Sequence, residues 1–279
     1  MKNLQQPIGL FDSGVGGLTV LREMYRQMPT ESLLYFADSA RLPYGKRSPQ
    51  EILLFVREIL DWMCDRDVKM IIMACNTSSA LALETVRKEY DVPILGVILP
   101  GAKAAVKQGK RIGVIATSAT VKSHAYRQAI REINPQTQVW EIACPEFVRL
   151  IEQNKLYTDY TRQMARQYLA PLIDEQIDTL VYGCTHYRHL EKTIRSLLPD
   201  SVQIVDPAEH IVVAAEKELS LLGLRNDLFS RPTRFYVSGE PKQFASLSQQ
   251  WLGYYPQVKQ VKTQRRSNKI MALNPSFKI

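Results

Sequence analysis

Short apolar runs alternate with amphipathic helical stretches along most of this 279-residue chain, and no other feature limits its fold as tightly. A strand, a covering helix and a second strand form the unit of a parallel sheet, because the helix returns the chain to the edge where the next strand begins. Ile8 to Phe11 reads as the first strand. It passes through Asp12-Ser13-Gly14-Val15-Gly16-Gly17 into a helix whose apolar residues Leu18, Leu21, Met24, Tyr25 and Met28 share one face, ending at Pro29. A second strand, Leu33 to Phe36, ends at Ala37-Asp38. The next helix has a marked start: Ser48 as N-cap, Pro49 in the first helical position and Glu51 completing a capping box. Its buried stripe is Ile52, Phe55, Val56, Ile59, Leu60 and Met63. Further strands are expected at Met70 to Ala74, Ile94 to Ile98, Ile112 to Ala116, Val139 to Ala143, Leu180 to Gly183 and Val202 to Val205, with helices in most of the gaps.

The order of motifs points to a duplication. Ile8-Gly9-Leu10-Phe11-Asp12-Ser13 has a counterpart in Ile112-Gly113-Val114-Ile115-Ala116-Thr117-Ser118, and each half then supplies one cysteine after a short apolar run. The expected fold is therefore α/β, with two similar open-sheet α/β domains facing each other across a central cleft. Residues 99–207 form the second domain. Residues 1–98 and 208–279 form the first, with a helix from about Ala208, a strand at Arg234 to Val237 and a helix near Gln243 to Trp251 packing back on it.

Composition narrows the class. A hydrophobic fraction of 45% and a charged fraction of 23% suit a packed globular protein and exclude a disordered one. No apolar run reaches membrane-spanning length, and Met1 to Pro7 lacks the apolar stretch of a secretory signal, so the cytoplasm is the expected compartment. The four cysteines include no Cys-x-x-Cys pair and read as free thiols. The net charge of +8 owes much to the tail, where Lys259, Lys262, Arg265, Arg266, Lys269 and Lys278 follow the last acidic residue, Glu240. A tail of this kind after about residue 257 is expected to be solvated, which argues against a nucleic-acid partner.

Two of the thiols sit in matching settings. Cys75 follows Ile71-Ile72-Met73-Ala74 and precedes Asn76-Thr77, while Cys184 follows Leu180-Val181-Tyr182-Gly183 and precedes Thr185-His186. Both lie at the carboxyl ends of strands, where open α/β sheets bind ligands. Two thiols facing one substrate from opposite sides suit inversion at an acidic carbon: one, as thiolate, removes a proton while the other, as thiol, supplies one to the opposite face. A thiol titrates close enough to neutrality for either state to be reached. His186 is placed to donate or shuttle a proton. Asp12 and Asp38 end two early strands beside that of Cys75, where each can accept a proton or orient a cationic amine. Ser13, Asn76, Thr77, Thr117, Thr120 and Thr185 offer short donors at strand ends and helix starts, a setting suited to carboxylates. Glu146, after Cys144-Pro145, is a further candidate acid.

Other residues have plainer readings. Cys64, on a helix stripe, is a small hydrophobe, and Cys144 ends a strand without a matched partner. His124, His189 and His210 fall in helix-like stretches and read as surface or packing residues. Gly14-Val15-Gly16-Gly17 lacks both the dinucleotide spacing and the Gly-Lys-Ser/Thr of a P-loop, so nucleotide binding is not expected.

From Ile8 to about Leu222 the chain resembles the glutamate racemase family. The resemblance rests on Phe11-Asp12-Ser13-Gly14-Val15-Gly16-Gly17-Leu18, Ala37-Asp38, Leu42-Pro43-Tyr44-Gly45-Lys46, Ala74-Cys75-Asn76-Thr77, Pro100-Gly101, Ala116-Thr117, Cys144-Pro145 and Gly183-Cys184-Thr185-His186-Tyr187. It implies proton transfer by Cys75 and Cys184 without cofactor or metal. It also implies substrate contacts at Asp12-Ser13, Tyr44-Gly45 with Pro43 beside them, Asn76-Thr77 and Thr185-His186, and auxiliary acids at Asp38 and Glu146. A homodimer and a supply of D-glutamate for peptidoglycan follow from the same resemblance. Arg188 and His189 depart from it, standing where the family commonly has proline and an apolar residue. The competing readings are a racemase for aspartate or another amino acid, and, from the basic tail, a protein that binds nucleic acid or gyrase.

Overall fold

The computed structural model describes residues 4–264 and contains two parallel sheets covered by helices. In chain order the elements are β1 (Ile8–Asp12), α1 (Leu18–Gln27), β2 (Leu33–Ala37), α2 (Pro49–Cys64), β3 (Met70–Met73), α3 (Asn76–Val86), β4 (Ile94–Gly96), α4 (Ile98–Gln108), β5 (Arg111–Ala116), α5 (Ser118–Ser123), α6 (Ala125–Ile133) and β6 (Gln138–Ala143). They continue with α7 (Pro145–Glu152), α8 (Asp159–Asp174), β7 (Thr179–Gly183), α9 (Glu191–Arg195), β8 (Gln203–Val205), α10 (Pro207–Leu221), β9 (Arg234–Val237), α11 (Pro241–Leu252) and β10 (Val258–Gln260). The two-sheet α/β architecture expected from the alternation is present.

The larger sheet has the order β10-β9-β2-β1-β3-β4 and the smaller one β6-β5-β7-β8. Every pairing is parallel. β2-β1-β3-β4 and β6-β5-β7-β8 repeat one topology, so β1 corresponds to β5 and β3 to β7. That is the structural content of the internal match between Ile8–Ser13 and Ile112–Ser118. Strands β1, β2, β3 and β7 are buried along their whole length because helices cover both faces, which is why they read as continuous apolar runs. On the larger sheet α1 and α10 contribute to one core, while α2 and α3 contribute to the other.

The capping signal before α2 is realised in full. Ser48 Oγ accepts from the Glu51 amide and the Glu51 carboxylate accepts from the Ser48 amide. Several strands end sooner than expected; Ile94–Gly96 gives way at once to α4, which begins at Ile98. The tail also differs from expectation. Val258–Gln260 adds a parallel edge strand to β9, and the Val261 amide donates to the Val237 carbonyl. A three-residue edge strand held by backbone hydrogen bonds needs little apolar side-chain pattern, so it left no signal. Arg265, Arg266, Lys269 and Lys278 lie outside the described residues.

The family departure at His189 has a packing explanation. Its ring stacks on Trp251 of α11, with centroids 3.5 Å apart, so a helix from the C-terminal segment covers the imidazole as it would an apolar side chain. Burial, with the neighbouring cations His186, Arg22 and Arg188, lowers its pKa to about 3. The folded state thus binds fewer protons at this ring than the unfolded state does from pH 6.5, the ordinary histidine value, down to about 3. Stability is expected to fall with acidification across that window, by up to about 1.4 kcal/mol per pH unit from this group. In urea titrations His189→Phe should flatten the decline; an unchanged pH slope would show that the ring does not resist protonation.

Candidate active site

The carboxyl ends of the two sheets face a common cleft, whose empty space including its mouth is about 510 Å³. Cys75 and Cys184 both line it. Each follows the strand on the same side of its sheet's equivalent strand, β3 beside β1 and β7 beside β5, and each caps the helical turn that comes next. Both are nearly buried, at 5% and 6% exposure. The pairing of thiols inferred from matched local sequence is therefore matched in space.

The two thiols have different surroundings. Burial pushes the Cys75 thiol up to about 12, Asp12 and Cys184 adding to the effect, while hydrogen bonding from the Ser78 amide opposes it. Asp12 is fully buried at the end of β1; its Oδ1 accepts from the Gly14 amide and its Oδ2 from Thr185 Oγ1 across the cleft. Burial raises the pKa of this carboxyl against the attraction of His186 and those hydrogen bonds.

His186 Nδ1 lies 3.9 Å from Cys184 Sγ, and its Nε2 lies 2.8 Å from Glu152 Oε1. Burial alone favours the neutral ring, but hydrogen bonds and charge attraction from Cys184 and Glu152 outweigh it and lift the pKa well above the ordinary value. The surroundings thus favour protonation of His186, whose Nδ1 faces the Cys184 sulfur and whose Nε2 faces the Glu152 carboxylate. Sequence reasoning missed Glu152. It stands at the end of α7, seven residues beyond Pro145, or about 10 Å along the helix. Its partner is 34 residues away, so no local motif marks it.

Glu146, the acid expected there, pairs instead with Arg149 at 2.6 Å and does not line the cleft. Six residues, about 1.7 turns of α7, decide the difference: Glu146 sits in the first turn and Glu152 at the last position. Asp38 is also set back. Its Oδ2 receives the Tyr44 hydroxyl and the Arg41 guanidinium, and it is Tyr44 that reaches the cleft. The structure thus makes Asp38 an anchor for a wall residue.

Ser13, Pro43, Tyr44, Gly45, Asn76, Thr77, Thr117, Thr185 and His186 of the sequence candidates line the cleft. Thr120 lies one layer behind, its hydroxyl 3.0 Å from Thr117 and 3.2 Å from Thr77. The Thr77 and Thr117 hydroxyls are themselves 2.8 Å apart, which joins α3 on one side to the start of α5 on the other. Lining residues not anticipated include Leu42, Lys46 and Val148.

Asn76 is oriented by its neighbour. The Tyr126 hydroxyl donates to Asn76 Oδ1 at 2.6 Å, leaving Nδ2 buried with no partner among the described residues. A buried amide donor left open is costly, so its position in the cleft wall is evidence of a polar ligand. Together with the first backbone amides of α3, it offers hydrogen-bond donors suited to a carboxylate.

Glycine at position 16 is a steric requirement: a β-carbon there would collide with His186 Nδ1 and Thr185 Oγ1. This glycine-rich loop is the place where the β1 end touches the Cys184 side of the cleft.

The model of the Asp/Glu/Hydantoin racemase family matches residues 8–215. A glutamate racemase from Gloeothece citriformis is 67% identical over 257 residues, covering 92% of this chain and 92% of that protein. Among solved structures, a glutamate racemase isoform from Bacillus anthracis superposes with a TM-score of 0.90 at 38% identity, covering 93% of this chain and 98% of that one. The Francisella tularensis glutamate racemase solved with D-glutamate gives 0.88 at 34% identity, covering 94% and 98%. With the family model spanning most of its length and relatives matched nearly end to end, this chain belongs to the Asp/Glu/Hydantoin racemase family.

Proposed function

We propose that the protein interconverts L- and D-glutamate by two-thiol proton transfer, Cys75 and Cys184 acting on opposite faces of the α-carbon. The observation that carries this reading is the placement of both thiols in one cleft, delivered from equivalent strands of separate sheets. In one direction a thiolate takes the α-proton; the C–H bond breaks and an S–H bond forms. The opposite thiol then gives its proton to the other face of the carbanion, breaking its S–H bond. The roles exchange in the reverse direction. Asp12 stands by the Cys75 side and the His186–Glu152 pair by Cys184, so each thiol has a neighbouring group able to influence its protonation. The open Asn76 amide and the α3 start stabilise the substrate carboxylate, whose charge otherwise resists formation of a carbanion beside it.

Glutamate is chosen over aspartate because the glutamate racemases match nearly the whole chain at high identity. The reading keeps the two-domain division, with residues 99–207 as one domain and the described residues before and after them as the other. It also supports a cytoplasmic homodimer supplying D-glutamate for peptidoglycan. No helix among the described residues is long and apolar enough to cross a membrane.

The test is incubation with L-glutamate in deuterated water without added cofactor, following optical rotation and the α-proton resonance together. Rotation should decay to zero as deuterium enters the α-position. Activity on aspartate with none on glutamate would keep the mechanism and replace the substrate; inertness toward both in folded protein would overturn the reading.

A further inference from the structure

Two-thiol racemisation ends with the enzyme in a different protonation state from the one in which it began. The thiolate has become a thiol and the thiol a thiolate, so a second turnover in the same direction must wait until one proton leaves the first sulfur and another reaches the second. Both sulfurs are nearly buried, which limits their direct exchange with water.

The structure contains a second cavity on the other side of Glu152, with about 380 Å³ of empty space including its opening. It is lined by Gly14, Ser39, Leu42, Glu152 and residues of the C-terminal segment, among them Glu240 and Gln243. His186 lines the cleft and not this cavity, whereas Glu152 lines this cavity and not the cleft. Leu42 lines both spaces, and the hydrogen-bonded pair is the polar connection between them, running from Cys184 Sγ to His186 at 3.9 Å and from His186 to Glu152 at 2.8 Å. Two further observations identify the cavity as wet. Ser39 Oγ, on its wall, is buried with no hydrogen-bond partner among the described residues, which a water would satisfy. At its rim Glu240 and Gln243 are exposed, so the space communicates with solvent.

We propose that this cavity is the proton port of the enzyme: water in it exchanges protons with Glu152, and through His186 resets Cys184 between turnovers. The inference rests on the two-thiol reading above. When Cys184 is left as thiolate, His186 gives it the Nδ1 proton, Glu152 or its cavity water restores a proton to the imidazole, and solvent replaces that one. Cys75 meanwhile releases its proton to water entering the emptied cleft. In the reverse direction the same groups carry a proton out. No oxidant or co-reactant is needed, and Glu152 is a positioning and relay residue that does not touch the substrate.

The test measures the return step separately from chemistry. Radiolabelled L- and D-glutamate are brought to equilibrium by the enzyme, and a large excess of unlabelled L-glutamate is added. If resetting is slow, the flux accumulates the enzyme form that binds D-glutamate, and label moves transiently from D to L. Gln243→Trp and Leu247→Trp, each placing an indole at the cavity wall, are expected to show this displacement at substrate levels where the wild type shows little. Gln243→Ala should behave as wild type. Glu152→Gln, which keeps a hydrogen-bonding group but cannot relay a proton, should slow the return on the order of 10²-fold.

In the tryptophan variants kcat/KM at low substrate should stay near wild type, because the catalytic groups are untouched. Label displacement no greater than wild type in both plugged variants and in Glu152→Gln would overturn the port. If wild-type enzyme fails to interconvert the labelled enantiomers at all, it is the glutamate reading that falls.

Discussion

Cys75→Ser and Cys184→Ser are each expected to reduce racemisation by about 10²–10⁴-fold, the range supplied by one positioned acid or base. Serine retains size and polarity, but its hydroxyl is far less acidic than a thiol, so it cannot serve as the base and is a poorer proton donor. The informative result is the asymmetry. With one thiol left, the enzyme can still remove the α-proton from the enantiomer that presents it to that thiol and return a solvent-derived one to the same face. Each variant should therefore wash deuterium into one enantiomer without inversion, and the two variants should choose opposite enantiomers. Nuclear magnetic resonance in deuterated water with each pure enantiomer reads this directly. Racemisation within about tenfold of wild type in either variant would remove that sulfur from the proton-transfer role.

The largest effect on stability is expected far from the cleft, at Lys69. Its side chain is fully buried just before β3, with Nζ donating to the Leu4 carbonyl at 2.7 Å and the Leu224 carbonyl at 2.8 Å and pairing with Glu31 at 2.6 Å. Glu31, equally buried, receives the Asn226 amide through its other oxygen. Burial lowers the pKa of Lys69, while Glu31 works to keep it charged. This cluster ties the opening of β3 to the segment that returns after α10.

Lys69→Met would leave the Glu31 carboxylate uncompensated in the interior and is expected to cost about 3–5 kcal/mol, read from urea denaturation. The double variant Lys69→Met/Glu31→Gln removes the stranded charge while keeping an acceptor for Asn226, and should recover much of that loss. A single-variant cost below about 1 kcal/mol would mean that the carboxylate is relieved by water or by its own protonation. The same comparison separates the energy of the pair from the penalty for an orphaned charge.

Much of the site could be read locally because strand-end residues follow a topological rule. Cys75 and Cys184 each close an apolar run, and parallel sheets deliver such positions to the ligand side. The capping box before α2, the helix after Gly17 and the strands at Ile8 and Leu33 were legible for similarly local reasons, since each depends on neighbours within a few residues. The internal match between the first and second halves also held as a shared strand order.

What escaped the sequence were the individual side-chain pairings between distant residues. Glu152 meets His186 only because α7 packs beside the turn after β7, and the choice of Glu152 over Glu146 depends on how far that helix carries the chain. His189, a departure from the family pattern, is accounted for by Trp251 stacked on it from a distant helix. The port cavity is assembled from the β1 loop, the loop after β2, the end of α7 and the C-terminal helix with the residue that caps it, pieces with no common sequence signal. The amino-acid sequence by itself determined that this chain forms two parallel α/β sheets and places a thiol at the end of each, because hydrophobic period and strand-end polarity are short-range properties. Only the tertiary structure decided which acid meets which base, because hydrogen bonds act over about 3 Å and the packing of separate elements sets those distances.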